Sequence, residues 1–138
     1  MPKRHILIAD DELNMLRSLE FILEVAGYKV TGVKNGQDAL DKILNANNSE
    51  SPIELIITDM QMPGLNGMEL IDELSRLEMN IPIFVITAYG SHNLVKTLRE
   101  KGEIQCIDKP IDDEELLNRV RILFESRAGN DQILSQIN

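Results

Sequence analysis

The chain has 138 residues, of which 43% are hydrophobic and 27% are charged, and this composition is typical of one ordinary globular domain. A formal net charge of −9 argues against a nucleic-acid-binding surface, which needs clustered lysine and arginine residues. The single cysteine excludes an internal disulfide, and no apolar run reaches membrane-spanning length, so we expect a cytoplasmic protein without membrane contact.

Strand-like apolar runs alternate with helical patterns along the whole chain. The predicted strands are HILIAD (5–10), YKVTGV (28–33), IELIIT (53–58), IPIFVIT (81–87) and IQCID (104–108). Apolar residues at helical spacing predict helices around Leu16–Ala26, Ala39–Leu44, Met68–Leu74, 92–102 and Leu116–Phe124. Gly27 is expected to end the first helix, Asn35 to cap the second, and the last helix to start near Asp112.

This alternation predicts an α/β fold in which a parallel sheet is covered by helices on both faces. The first, third and fourth strands are the most uniformly aliphatic and are expected at the centre, whereas YKVTGV resembles an edge strand. We therefore predict a doubly wound (βα)5 fold with strand order 2-1-3-4-5. The domain is expected to span 1–127, because Gly129-Asn130 interrupts the helical pattern and makes 128–138 a tail or the start of a linker.

Polar residues follow four of the predicted strands. They are Asp10 and Asp11 after the first, Asp59 after the third, Thr87 at the end of the fourth, and Lys109 followed by Pro110 after the fifth. Because the carboxyl ends of parallel strands lie at one edge of a sheet, these side chains are expected to converge on one crevice.

Each of these residues also has an ordinary structural interpretation. Asp10 or Asp11 alone would most often be a cap of the first helix, and Asp59 could support the following turn. Thr87 is an ordinary strand residue, Lys109 could be solvated, and Pro110 could simply end its strand. Taken together, however, three carboxylates need more countercharge than one lysine supplies, and Mg²⁺ (or Mn²⁺) with oxygen ligands would supply it. Metal, carboxylate, hydroxyl and lysine are also the groups that phosphoryl transfer uses.

The segments DD (10–11), TDMQMPGLNG (58–67), ITA (86–88) and DKP (108–110) together resemble the CheY-like receiver domain of two-component response regulators. The similarity extends over 5–126. It implies a flavodoxin-like fold and a phosphoacceptor signalling module that has at most self-phosphorylation and self-dephosphorylation activity.

The resemblance also implies a role for each site residue. Asp59 would accept a phosphoryl group from a phosphohistidine of a sensor histidine kinase or phosphotransfer protein. Asp11 would bind Mg²⁺ directly and Asp10 through water or from outside the ligand shell. The backbone carbonyl of Gln61 would complete the protein ligands.

On the phosphoryl group itself, the resemblance places the Lys109 ammonium, the Thr87 hydroxyl, and the backbone N–H groups of Gln61 and Ala88. Pro110 would shape the next loop through a cis peptide bond. The responding face would consist of the segment 92–102, the fifth strand and the last helix. It would regulate a partner protein or an attached effector domain, and a phosphorylation-dependent homodimer through it is left open.

Two residues near the site depart from that family's pattern or add to it. Cys106 stands where an aromatic switch residue is usual, which puts the inward swing of a ring in doubt; a redox-sensing role is the alternative to an inert buried thiol. Tyr89 lies two residues after Thr87, and its ring either shields an acyl phosphate from water or is an ordinary surface tyrosine.

Three other functions are alternatives to the phosphoacceptor. A metal-dependent phosphatase with an aspartate nucleophile commonly needs a second acid two residues later, where this chain has Gln61. A dinucleotide-binding enzyme needs glycines after the first strand, and this chain has none there. An unphosphorylated interaction module has little support, because every residue of the acceptor site is present.

Overall fold

The computed structural model describes residues 3–88, 96 and 100–137, of which 129–137 are described by their backbone alone. The elements, in chain order, are β1 (His5–Ala9), α1 (Leu13–Val25), β2 (Lys29–Val33), α2 (Gly36–Ala46), β3 (Leu55–Asp59), α3 (Gly67–Arg76), β4 (Ile83–Thr87), β5 (Ile104–Asp108) and α4 (Asp113–Ile137). Most of the predicted helix over 92–102 lies outside the described residues.

The five strands form one parallel sheet in the order β2-β1-β3-β4-β5. The predicted strand order is therefore confirmed, with the aliphatic strands β1, β3 and β4 at the centre. All residues of β1 and β3 are buried, whereas in β2 only Val33 is buried and the other four residues are exposed or half-buried, as expected of an edge strand.

Each face of the sheet carries its own apolar cluster, because successive side chains of a strand point to opposite faces. On one face, Leu7, Ile56 and Val85 pack with side chains from α2 and α3. On the other face, Ile8, Ile57 and Phe84 pack with side chains from α1 and α4. The sheet is thus covered by apolar packing on both faces.

The helix ends follow the local signals in the sequence. Asn35 caps α2, since its side chain accepts a hydrogen bond of 2.7 Å from the Asp38 N–H. Gly27 ends α1 with a φ of +103°, a conformation that favours glycine. Asn66 and Glu69 form a capping box at the start of α3.

α4 differs from the expectation at its far end. The sequence predicts a break at Gly129-Asn130, but the backbone is helical through both residues to Ile137. One glycine inside a helix costs only about 1 kcal/mol and does not by itself end the helix. The domain boundary at residue 127 stays a prediction.

In the part of the chain that the structure describes, no helix combines the length and the apolar character needed to cross a membrane.

Candidate functional site

The sheet brings the predicted site residues together at the carboxyl ends of its strands. Asp10 follows β1 and is 1% exposed, and Asp59 ends β3 and is 7% exposed. Asp11 is exposed, Thr87 ends β4 and is partly exposed, and Lys109 follows β5. Two buried carboxylates, those of Asp10 and Asp59, therefore lie at this edge of the sheet.

Both oxygens of Asp59 have hydrogen-bond partners. Lys109 Nζ lies 2.9 Å from Asp59 Oδ2, and the Gln61 N–H donates to Asp59 Oδ1 at 3.0 Å. The hydrogen bond to Asp59 is the main reason that the pKa of Lys109 is raised, so the lysine stays a cation beside the carboxylate. Lys109 is itself held by its backbone N–H, which donates to the Thr87 carbonyl at 2.9 Å.

Asp10 is satisfied at only one of its oxygens. Its Oδ1 accepts the Glu12 N–H at 2.9 Å, while Oδ2 is buried without a hydrogen-bond partner among the described residues. Burial raises the pKa of Asp10, against the Glu12 hydrogen bond, which lowers it, and the charge of Asp59 adds to the increase. A buried carboxylate oxygen without a donor is an open position for a cation.

The three acids meet closely enough to share such a cation. One carboxylate oxygen each from Asp10, Asp11 and Asp59 lies within 4.8 Å of the others. An all-oxygen set with one exposed member suits a divalent ion such as Mg²⁺, which binds few carboxylates and keeps several waters. The residues present thus fit the predicted metal.

Glu12 has a larger local role than the sequence indicated. The sequence makes Asp10 and Asp11 candidate caps of the first helix, but the N-cap of α1 is Glu12. Its carboxylate accepts from the N–H groups of Asn14 (3.3 Å) and Met15 (2.6 Å), which leaves both aspartates available to the crevice.

Two residues beyond the predicted site set, Thr58 and Gly67, lie against the backbone of Asp59. The buried Thr58 hydroxyl donates to the Asp59 carbonyl at 3.0 Å. Gly67, the first residue of α3, approaches so closely that a Cβ there would lie 2.7 Å from the same oxygen. The only sequence signal for Gly67 is its place at the end of the quoted loop motif, because the close approach is made in three dimensions.

The other predicted positions lie around this centre. The Lys109–Pro110 peptide bond is cis, as the resemblance implied. Ala88 is exposed, and Tyr89 lies outside the described residues. Cys106 is half-buried and packs against the apolar cluster under α2 and α3, as a small hydrophobic side chain would.

This fold is that of a receiver domain. The sequence model of the response regulator receiver domain matches residues 6–121, and the chain belongs to that family, the receiver domains of two-component signal transduction. Among curated relatives, the transcriptional regulatory protein CpxR homolog of Haemophilus influenzae is 31% identical over 133 residues, covering 96% of this chain and 55% of the relative. Sporulation initiation phosphotransferase F of Bacillus subtilis is 30% identical over 121 residues, covering 88% of this chain and 94% of the relative.

Solved structures agree with this assignment. The CheY-like receiver domain protein of Methanospirillum hungatei superposes with a TM-score of 0.78 at 26% identity, covering 93% of this chain and 98% of that one. The receiver domain of a LuxO repressor protein from Vibrio parahaemolyticus has a TM-score of 0.84 at 22% identity, covering 95% and 97%, and supports the fold alone. The chain spans about half the length of the CpxR homolog and nearly all of the sporulation phosphotransferase.

Proposed function

We propose that Asp59 accepts a phosphoryl group from a phosphohistidine of a sensor histidine kinase or of a phosphotransfer protein. A carboxylate oxygen of Asp59 forms a bond to phosphorus while the bond from phosphorus to the donor imidazole breaks, and the imidazole leaves with the electron pair. The observation that carries the proposal is the position of Asp59, which is buried, bonded to Lys109 and grouped with two further carboxylates.

The surrounding residues have roles that follow from their chemistry. Asp10, Asp11, Asp59 and the Gln61 carbonyl would hold Mg²⁺, which neutralises the oxygens of the phosphoryl group when bound. Lys109 pairs with one phosphoryl oxygen, and the Thr87 hydroxyl donates a hydrogen bond to another. The N–H groups of Gln61 and Ala88 donate hydrogen bonds to the remaining phosphoryl oxygens. The hydrogen bond that Gln61 already makes to Asp59 supports its place in this set.

The consequence of phosphorylation is a shift in conformational population. The added charge draws Thr87 and Lys109 inward, and the face that contains β5 and α4 responds. A downstream protein or an attached effector domain reads that face. An effector domain is in keeping with relatives that are about twice as long as this chain.

The proposal is tested by incubating the protein with Mg²⁺ and acetyl phosphate and measuring its intact mass. We expect an adduct of one phosphate in the wild type and in Asp41→Asn, which removes an exposed carboxylate of α2, but none in Asp59→Asn. An adduct that persists in Asp59→Asn would show another acceptor. Rapid consumption of acetyl phosphate without any adduct would instead show an enzyme.

A further inference from the structure

The loop that follows the proposed phosphoacceptor (60–66) is held against the first turn of α2. The Gly36 N–H donates to the Leu65 carbonyl at 3.0 Å. This N–H lies in the first turn of a helix, where it has no partner within the helix, so the loop satisfies it. A Cβ on Gly36 would lie 2.0 Å from the Leu65 oxygen and 2.8 Å from its carbonyl carbon, so α2 and the loop touch through their backbones.

Space alone requires glycine at this position. The backbone of Gly36 is outside the left-handed region, so an alanine there would meet no conformational strain of its own. Its methyl group would still have to displace Leu65 or the start of α2, because the contacting atoms belong to the backbone. A substitution at Gly36 therefore acts on the loop itself.

The loop is short and stiff enough to carry such a displacement to the site. Met62 is anchored in the apolar core at 8% exposure, Pro63 has a restricted φ, and Gly64 turns with a φ of +69°. At the near end of the loop, Gln61 donates its N–H to Asp59 Oδ1 at 3.0 Å. Moving Leu65 by the distance that a methyl group needs would therefore move Gln61 relative to Asp59.

We infer that Gly36 is a positioning residue for the phosphoryl-transfer site, and that it acts through Leu65 on the backbone of Gln61. The inference rests on the proposed function and adds α2 to the elements that hold the site. The first turn of α2 keeps the Gln61 N–H on Asp59, and it would hold the Gln61 carbonyl in the place from which this carbonyl would bind Mg²⁺.

The test compares Gly36→Ala with Gly27→Ala. Gly27 has a φ of +103° and no atom within 4 Å of a Cβ, so its substitution strains the backbone without touching the loop. The backbone amide resonance of Gln61, measured by NMR without metal, should shift in Gly36→Ala and stay in place in Gly27→Ala. The Kd for Mg²⁺, measured by calorimetry, should rise about tenfold in Gly36→Ala relative to Gly27→Ala, as for a metal site that loses its outer support.

An unmoved Gln61 resonance together with an equal Kd in the two variants would overturn the inference. If Gly36→Ala does not fold, the test uses the wild type in a Mg²⁺ titration followed by NMR. The Gly36 amide resonance should shift with the same midpoint as the Gln61 resonance. A Gly36 resonance that does not shift would overturn the inference. The acetyl phosphate adduct of the wild type tests the proposed function separately. If the adduct forms but the NMR and Kd measurements show no effect at Gly36, only the positioning role of Gly36 is refuted and the proposed function stands.

Discussion

Asp10 is the residue at which the chemistry of the site opposes the stability of the fold. Its carboxylate is buried, one oxygen lacks a donor among the described residues, and two further carboxylates lie nearby. Burial and the charge of Asp59 raise the pKa of Asp10, so ionisation is less favourable in the folded chain than in the unfolded one. Without a cation, the ionised site therefore lowers the free energy of unfolding.

We predict that Asp10→Asn raises the free energy of unfolding near neutral pH by about 1–2 kcal/mol when divalent cations are chelated. The amide keeps an acceptor for the Glu12 N–H and removes a buried charge. Well below pH 3.8, Asp10 is protonated in both the folded and the unfolded chain, so its charge does not distinguish them there. As the pH rises above 3.8, the unfolded chain ionises first and the wild type loses stability, so the gain in Asp10→Asn should grow.

Urea denaturation followed by circular dichroism, in acid and near neutral pH, would measure this gain. Asp41→Asn removes an equal charge from an exposed position and should change little at either pH. A gain that is the same in acid and at neutral pH would contradict the role given to the buried charge. Excess Mg²⁺ should reduce or reverse the difference, since the variant has lost a carboxylate of the metal site.

At the residue scale, the sequence indicated the charged residues of the site but not all of the residues that hold the surrounding backbone in place. Asp10, Asp11, Asp59 and Lys109 could be predicted because parallel strands deliver their carboxyl ends to one edge. Glu12 could not be assigned as the cap, because three consecutive acids precede the helix and each is a candidate on local grounds. The close approach of Gly36 to Leu65 joins residues far apart in sequence, so no local pattern signals it.

Among the elements, β5 and α4 are joined by Arg119. Its guanidinium donates to Gln105 Oε1 at 2.8 Å and to the Cys106 carbonyl at 3.2 Å, and it lies 5.6 Å from the centroid of the buried Phe84 ring. Among the described strands, β5 lies at the edge of the sheet beside β4, so a helix side chain supplies the Cys106 carbonyl with a hydrogen bond that a neighbouring strand would otherwise make. Arg119 thus adds hydrogen bonds to the apolar packing between β5 and α4.

We predict that Arg119→Met lowers the free energy of unfolding by about 1–2 kcal/mol, because methionine keeps the apolar stem but leaves the Cys106 carbonyl without this donor. Arg121→Met is the matched control on the same helix. Arg121 pairs with Glu125 at the surface, where such a pair contributes under about 1 kcal/mol. Equal losses in urea denaturation of the two variants would show that Arg119 contributes only a surface ion pair.

The elements themselves were the most predictable part of the molecule. Short aliphatic runs separated by helical patterns determined the number, type and order of the strands, and the mixed composition of YKVTGV identified β2 as an edge. Strand boundaries shifted by one or two residues, since hydrogen bonding rather than hydrophobicity decides where a strand ends. The prediction of a break at Gly129 was wrong. A glycine ends a helix only where the chain leaves the helical path after it, and the sequence alone does not show whether it does.

At the scale of the whole molecule, the fold is two apolar layers with the site at one edge of the sheet. The described side chains of α4 contribute to one layer through Leu116, Val120, Leu123 and Phe124. Arg127 then makes an ion pair with Glu103. This pair lies at the amino ends of the strands, away from the carboxyl ends that carry the site. Among the residues whose side chains the structure describes, the last to enter this buried layer is Phe124, although the backbone of α4 stays helical to Ile137.

We predict that a chain ending after Ala128 keeps its free energy of unfolding within about 0.5 kcal/mol of the full chain, as for changes away from buried features. It should also keep its affinity for Mg²⁺, since every proposed ligand lies between residues 10 and 61. A chain ending after Arg119 should fail to fold, because it removes Val120, Leu123 and Phe124 from the buried layer. Urea denaturation and calorimetry of the first truncation test the predicted domain boundary. A loss of more than about 2 kcal/mol would move that boundary into the last turns of α4 and make them part of the domain.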